Sequence, residues 1–484
     1  MLIIQPIKIF KNLKLTKMGR PHVLVVPYPE QGHVIPLMEL SLCLVKQGIK
    51  VTFVNTKHNH ERIMSAFPKG NNNNDDDDDD ALLSQMNLVW IPDGFGSEEE
   101  RKMPGKSSEA VLKAMPEKVE ELIEAINNRS LSEEKLSCVL ADQSIGWALG
   151  LAVKKGIRSA AFCPAAAAQL VLGLSIPKLI ESEFIDKEGT PLQNQIIQLS
   201  PLMPAVSTEN LVWVRAGSTA AQRHIFQLMV RNIESMQKTE WILCNSAYDL
   251  EPEAFSLAPK LTPIGPILSS NHNEINHSAG HFWSQDQECL KWLDQQSPCS
   301  VIYVAFGSIT AFRPLQFQEL CLGLESSNRP FLWVLQPDIK AGMQNPYPEG
   351  FEERVRNRGR MVGWAPQQKI LSHSSVACFI SHCGWNSTME SVSNGVPILC
   401  WPQFADQFLN RSYVCDVWKV GIGLERKGSD IVTKGEIRDK IEKLLSDENL
   451  KARAASLRQK VQLGTEQCGL SKSNLDRLIK WIKT

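Results

Sequence analysis

The chain has 484 residues, 43% of them hydrophobic and 22% charged, with a formal net charge of -1. That is room for two or three domains with ordinary cores, and the near-zero charge argues against nucleic acid or an anionic membrane as a partner. The twelve cysteines are scattered, mostly in apolar runs such as those of Cys138, Cys244 and Cys378; with no CxxC pair and no zinc pattern, they read as reduced thiols of a cytoplasmic protein.

The first residues, MLIIQPIKIFKNLKLTK, have lysines breaking every hydrophobic run. No signal-peptide core forms, no run reaches transmembrane length, and residues 1–17 are expected to be a disordered extension. Pro21 to Pro27 reads as a first buried strand. Gly32-His33-Val34-Ile35-Pro36 then turns the chain into a helix with apolar Leu37, Leu40, Leu44 and Val45. Val51 to Val54 is a second strand, so a Rossmann-like half begins here. Asn71 to Asp80 is four Asn followed by six Asp. Such a run stays solvated, and it lacks the turn glycine and fixed geometry of a calcium loop.

Leu136 to Leu140 is a further strand, followed by Ala141-Asp142-Gln143 and a helix through Trp147 and Ala152. Trp241 to Asn245 is another, and Ile264-Gly265-Pro266 closes a first domain of residues 18–267. Residues 268–283 read as a polar linker, with His272, His277 and His281 in solvent rather than in a metal cluster. Val301 to Phe306 opens a second domain, residues 284–465, and delivers Gly307-Ser308 to its cleft. Phe331 to Val334 and Arg360 to Val362 are later strands. In the last segment, 466–484, the spacing of Leu475, Leu478, Ile479 and Ile482 predicts an amphipathic helix.

The segment from Trp364 to Gln407 carries the chemistry. It reads WAPQQKILSHSSVACFISHCGWNSTMESVSNGVPILCWPQFADQ. Val376 to Ile380 is a short apolar run, read as a buried parallel strand. It ends at Ser381-His382-Cys383-Gly384-Trp385, after which Asn386 or Ser387 is expected to cap a helix that stops at Gly395. A strand, a glycine turn and a helix start together make an anion site, because free backbone N–H groups and the positive helix end converge there. His382 stands at its mouth. Glu390, one turn in, can accept from both hydroxyls of a ribose. Trp364 can stack on a planar base. Asp406 and Gln407 follow the next strand, where ligands of open α/β sheets bind, and an acid beside an amide suits a polyhydroxylated sugar.

This segment closely resembles, over its full length and without a gap, the signature box of plant UDP-glycosyltransferases of glycosyltransferase family 1. The resemblance runs from about Gly19 to the carboxyl terminus. It implies a GT-B fold: α/β, two facing Rossmann-like domains with parallel sheets and a cleft between them. It also implies that residues 466–484 cross back onto the first domain. Trp364 is then expected to stack on uracil, Gln367 to border it, and Ala365 to belong to the same UDP-sugar site. His382, Ser387 and Ser308 would bind the diphosphate, with Gly384, Asn386 and the Trp385 backbone beside them. Glu390 would hold the ribose, and Asp406 with Gln407 the sugar. Gln407 at the last position resembles glucose-using members. No cofactor and no metal is implied, UDP-glucose being a co-substrate, and a monomer without integral membrane contact is expected.

Sugar transfer needs a base for the acceptor hydroxyl. His33 suits it by its pKa and by its strand-to-helix turn, and Pro27-Tyr28-Pro29-Glu30-Gln31-Gly32-His33 matches the family's catalytic segment. Asp142, matching the partner acid, would fix the imidazole tautomer. Single displacement at carbon 1 would give a β-glucoside from an α-linked donor. One departure is Phe162-Cys163-Pro164 followed by Ala165 to Ala168, where many relatives place a hydroxyl that touches the sugar. Pro164 cannot replace that contact, and the Ala run is expected to form an apolar acceptor wall. With ADQSIGW and NGVPILCWPQFADQF, this pattern resembles the group-eighty-three branch, which is associated with phenolic acceptors such as phenylpropanoids and flavonoids. Two other readings are weaker. A nicotinamide oxidoreductase needs G-x-G-x-x-G after the first strand, where this chain has Glu30-Gln31-Gly32-His33. A silent nucleotide-sugar binder would lack the His33 and Asp142 pair.

Overall fold

Two parallel sheets organise the chain. The computed structural model describes residues 20–66, 85–95, 106–129, 135–268, 280–310, 312–337, 347–426 and 430–484. The amino-terminal extension, the Asn/Asp run and linker residues His272 and His277 lie outside the described residues.

The first sheet comprises β1 (His22–Val26), β2 (Lys50–Thr56), β3 (Met86–Ile91), β4 (Leu136–Asp142), β5 (Arg158–Cys163), β8 (Trp241–Cys244) and β9 (Leu261–Pro263), in the spatial order 3-2-1-4-5-8-9. A small antiparallel pair, β6 (Ile196–Ile197) and β7 (Val206–Ser207), stands apart from it. The second sheet comprises β10 (Val301–Ala305), β11 (Phe331–Val334), β12 (Gly359–Val362), β13 (Val376–Ser381), β14 (Ile398–Cys400) and β15 (Gly421–Gly423), in the order 12-11-10-13-14-15. β1 and β10 are buried throughout. Continuous apolar runs of this kind belong to parallel strands covered by helices on both faces.

Each sheet has one place where the strand order reverses. In the first it lies between β1 and β4, with Val26 opposite Ala141. In the second it lies between β10 and β13, with Ala305 opposite Ser381. Chains leaving neighbouring strands there diverge to opposite faces and open a crevice at the carboxyl ends, the place where such sheets bind ligands. His33 and Asp142 follow or end the strands at the first switch point, while Gly307, Ser308 and His382 follow those at the second.

The two halves are in contact. One apolar core joins Trp385, Met389 and Tyr413 of the second half to residues of the first such as Leu250 and Cys244. Trp385 Nε1 donates to the Asn245 carbonyl at 2.9 Å, and Trp418 Nε1 to the Leu250 carbonyl at 2.9 Å. The last helix, Leu470–Lys483, returns to the first half. Its Leu475, Leu478, Ile479 and Ile482 join the core around Val23, Leu37 and Phe53. Ser471 Oγ donates to the Gly265 carbonyl and Asn474 Nδ2 to that of Pro263. Among the described residues no helix is long and apolar enough to cross a membrane.

Leu478 is 1% exposed, so Leu478→Ala should lower stability by about 2–5 kcal/mol through a cavity under this helix. The urea midpoint measures it, and an unchanged midpoint would mean that the helix is not part of the first half's core.

Candidate active site

His33 sits in the first turn of the helix Gln31–Lys46, which starts one residue after Glu30. Its Nδ1 lies 2.7 Å from Asp142 Oδ2, and Asp142 has no exposed side-chain surface. The other carboxylate oxygen accepts from the Ser144 amide at 2.8 Å. A carboxylate accepts only, so Nδ1 carries the proton and Nε2 is left as the basic nitrogen. Burial pulls the imidazole pKa down, but the charge and hydrogen bond of Asp142, helped by Glu30 and Asp406, outweigh it, and the net shift is upward. Asp142 thus caps the turn and orients His33 at once. A side chain at Gly32 would meet nothing within 4 Å, so the backbone beside His33 faces open space.

At the second switch point the His382 ring lies between two glycines. A Cβ on Gly307 would come within 2.6 Å of His382 Nε2, and one on Gly384 within 2.4 Å. Burial pushes the His382 pKa down to about 4 against the raising effect of the Ala305 backbone, so the ring is neutral, and among the described residues its buried Nδ1 has no partner at good hydrogen-bond geometry. Ser308 follows Gly307 in the same turn, half-buried. The helix Trp385–Asn394 starts at Gly384 and ends at left-handed Gly395 (φ 68°). No side chain caps its start. The expected cap at Asn386 or Ser387 is not made, because both lie inside the first turn. Asn386 Nδ2 instead donates to the Gly32 carbonyl at 2.8 Å, and Ser387 Oγ accepts from Gln367 Nε2 at 2.8 Å.

Gln367 is the hub of a buried network. Its amide N–H groups reach Ser387 Oγ and Glu390 Oε2, while its Oε1 accepts from Tyr303 Oη at 3.0 Å. With both ends of the amide committed, Gln367 positions Ser387 and Glu390. Burial raises the Glu390 pKa to about 7, against the lowering effect of the Gln367 and Gln368 amides. Asp406 accepts from Asn410 Nδ2 at 2.9 Å, and burial raises its pKa. Gln407 Oε1 accepts the amides of Gln403 and Phe404 at 2.8 and 3.1 Å, which leaves its NH2 for a ligand. Ala365 is buried beside half-buried Trp364.

Two further expectations are corrected. His281 is not a solvated linker residue. Its Nδ1 accepts from Trp364 Nε1 at 3.2 Å, and burial pushes its pKa down to about 4. Trp283 also lies against Trp364, with ring centroids 4.9 Å apart, and Arg62 of the first half covers Trp283 at 5.0 Å. The two tryptophans draw this end of the linker inward. Most of the Ala run forms no acceptor wall either, since Ala166, Ala167 and Ala168 are buried and only Ala165 is half-buried. They open the helix Ala167–Leu174, and the Glu251 carboxylate accepts the Ala167 and Ala168 amides at 2.9 and 3.0 Å. Ala166 has no side chain to cap with, so a carboxylate 84 residues away does so. Neither Glu251 nor Tyr303 was legible as a site residue. Trp283 had one signal, an aromatic Phe282-Trp283 pair at the end of a polar stretch. Among the described residues no group of three or more His, Cys, Asp or Glu is placed to hold a metal.

A family model described as UDP-glucoronosyl and UDP-glucosyl transferase matches residues 192–463. UDP-glycosyltransferase 83A1 of Arabidopsis thaliana is 48% identical, over 97% of this chain and 98% of that protein. The 7-deoxyloganetin glucosyltransferase of Catharanthus roseus is 30% identical, covering 96% and 97%. A solved complex of a UDP-glucosyltransferase from Polygonum tinctorium, capable of glucosylating indoxyl, superposes with a TM-score of 0.78 at 26% identity, over 97% of this chain and 100% of that one. Fold and comparisons together define a GT-B glycosyltransferase. The chain belongs to the UDP-glucoronosyl and UDP-glucosyl transferase family, in the group-eighty-three branch of its plant members, and it is a UDP-sugar-dependent glycosyltransferase.

Two consequences follow from this geometry. Gly384→Ala should displace the His382 ring and weaken UDP binding about tenfold or more, read by calorimetry, with the fold kept; unchanged affinity would mean that the ring is not needed. Glu390 holds its proton to about pH 7 when folded but only to about 4.5 when unfolded. The folded state therefore binds more protons between those values, and stability falls as the pH rises through them. Glu390→Gln should flatten that stretch of the stability–pH curve. A variant curve parallel to the wild type would contradict the assignment.

Proposed function

We propose that this protein is an inverting UDP-glucosyltransferase that acts, as a cytoplasmic monomer, on a hydroxyl of a small plant metabolite, a phenolic such as a phenylpropanoid or flavonoid being favoured. The observation that carries the reading is the 2.7 Å pairing of His33 Nδ1 with a fully buried Asp142 at the cleft. His33 Nε2 takes the acceptor proton as the oxygen attacks carbon 1 of the sugar, and Asp142 stabilises the imidazolium that forms. Attack from the face opposite the leaving group yields a β-glucoside.

The departing UDP is met by preorganised groups. The start of the helix Trp385–Asn394 and its free N–H groups, with His382, Ser387 and Ser308, take the diphosphate charge, and no metal is required in this reading. A neutral His382 donates one hydrogen bond rather than a full charge. Trp364 stacks on uracil and Glu390 holds the ribose. Asp406 accepts from sugar hydroxyls, while Gln407, its carbonyl tied to the loop, donates to one. That acceptor-and-donor pair supports glucose as the sugar.

His33→Ala should lower the transfer kcat by about 10²–10⁴-fold while UDP binding persists. Full activity would remove His33 as the base. The pH–rate profile sharpens the test. A base works deprotonated, so transfer should rise with pH through the His33 pKa, which Asp142 holds above its ordinary 6.5. Asp142→Asn leaves burial opposed only by Glu30 and Asp406, so the limb should move to lower pH while kcat falls; a limb that stays in place would mean that another group titrates.

A further inference from the structure

Gly32, the neighbour of His33, has a carbonyl that its own helix cannot satisfy. In a helix that carbonyl accepts from the amide four residues on. Here that residue is Pro36, inside the helix Gln31–Lys46, and proline has no N–H. The orphaned oxygen instead accepts from Asn386 Nδ2 at 2.8 Å, across the interface between the two halves. Asn386 is the second residue of the helix Trp385–Asn394.

We propose that Pro36, Gly32 and Asn386 form a latch that sets the base against the donor site, with Asn386 a positioning residue that acts through the Gly32 backbone. This rests on His33 being the base. One hydrogen bond joins the turn that carries His33 to the helix whose start faces the leaving group. Asp142 orients the imidazole within the first half. Nothing within that half can set its distance from the sugar carbon, which is held by the second. Other bonds cross between the halves, among them Gln368 Nε2 to Glu39 Oε1 at 2.9 Å on the same helix and Trp385 to the Asn245 carbonyl, but the latch acts at the turn of the base itself, because Gly32 precedes His33 and Asn386 lies four residues beyond His382. Proline is the reason the carbonyl is available: an amide at position 36 would close the helical bond and compete with Asn386. A latch at the cleft also favours the acceptor over water, since a gap between the halves admits solvent to the bound donor.

The test uses the full-length protein with Asn386→Asp, which keeps the shape but replaces the N–H with a charged acceptor oxygen that repels the Gly32 carbonyl, and Pro36→Ala, which restores the competing amide and leaves the donor side untouched. Both should lower the transfer kcat, Asn386→Asp by about three- to tenfold, the worth of one partly exposed hydrogen bond, and Pro36→Ala by less. Both should raise the share of UDP-glucose lost to water, forming glucose and UDP. The double variant should be no worse than Asn386→Asp alone. Amide hydrogen exchange of residues 31–35 should quicken in Asn386→Asp without any acceptor present. Exchange unchanged in that variant would overturn the latch. So would a silent Pro36→Ala beside an Asn386→Asp that loses only UDP affinity, the mark of a residue that serves the donor alone. The exchange readout stands whether or not His33 proves to be the base, so failure of the latch and failure of the mechanism are told apart.

Discussion

A buried carboxylate with no exposed surface must be paired or hydrogen-bonded, and Asp142 meets that demand with the Ser144 amide on one oxygen and His33 on the other. The pairing fixes the ring, its tautomer and the nitrogen offered to the cleft. It also explains why the first turn of the helix Gln31–Lys46 lies where it does, beside the end of β4. Because β1 and β4 are neighbours at a reversal of strand order, two segments more than a hundred residues apart in sequence meet without any special loop.

The second half repeats the geometry with different chemistry. β10 and β13 form its switch point, and there a neutral histidine between two glycines stands where the first half has a histidine hydrogen-bonded to a buried aspartate. In the proposed reading one crevice moves a proton and the other receives an anion. Besides the shared apolar core, the halves are joined by single side chains set on backbone carbonyls, Trp385 on Asn245, Trp418 on Leu250 and Asn386 on Gly32, and by the Gln368 amide on Glu39. Each is directional, so together they specify orientation as well as proximity.

Much of this was legible in the sequence, for identifiable reasons. Central strands such as β1 and β13 are continuous apolar runs bounded by turn residues, and the last helix has clean amphipathic spacing. Such signals are local. The segment from Trp364 to Gln407 is long enough to carry a family resemblance. What was not legible depends on partners far away in sequence. The fate of the Ala run is decided by Glu251, that of His281 by Trp364, and that of the Gln367 amide by Tyr303 and Glu390. The expected cap at Asn386 or Ser387 followed the usual preference for polar residues at helix starts. It was overridden because both side chains have partners outside their own turn.

The stereochemistry of the product tests the central claim most directly. Purified protein would be given UDP-glucose and a panel of phenolics, and the anomeric proton of any glucoside read by NMR. One base at one face of the sugar predicts the β-anomer, formed from the α-linked donor in a single displacement. An α-glucoside would mean retention, and would contradict a mechanism in which the Asp142–His33 pair activates the acceptor for direct attack.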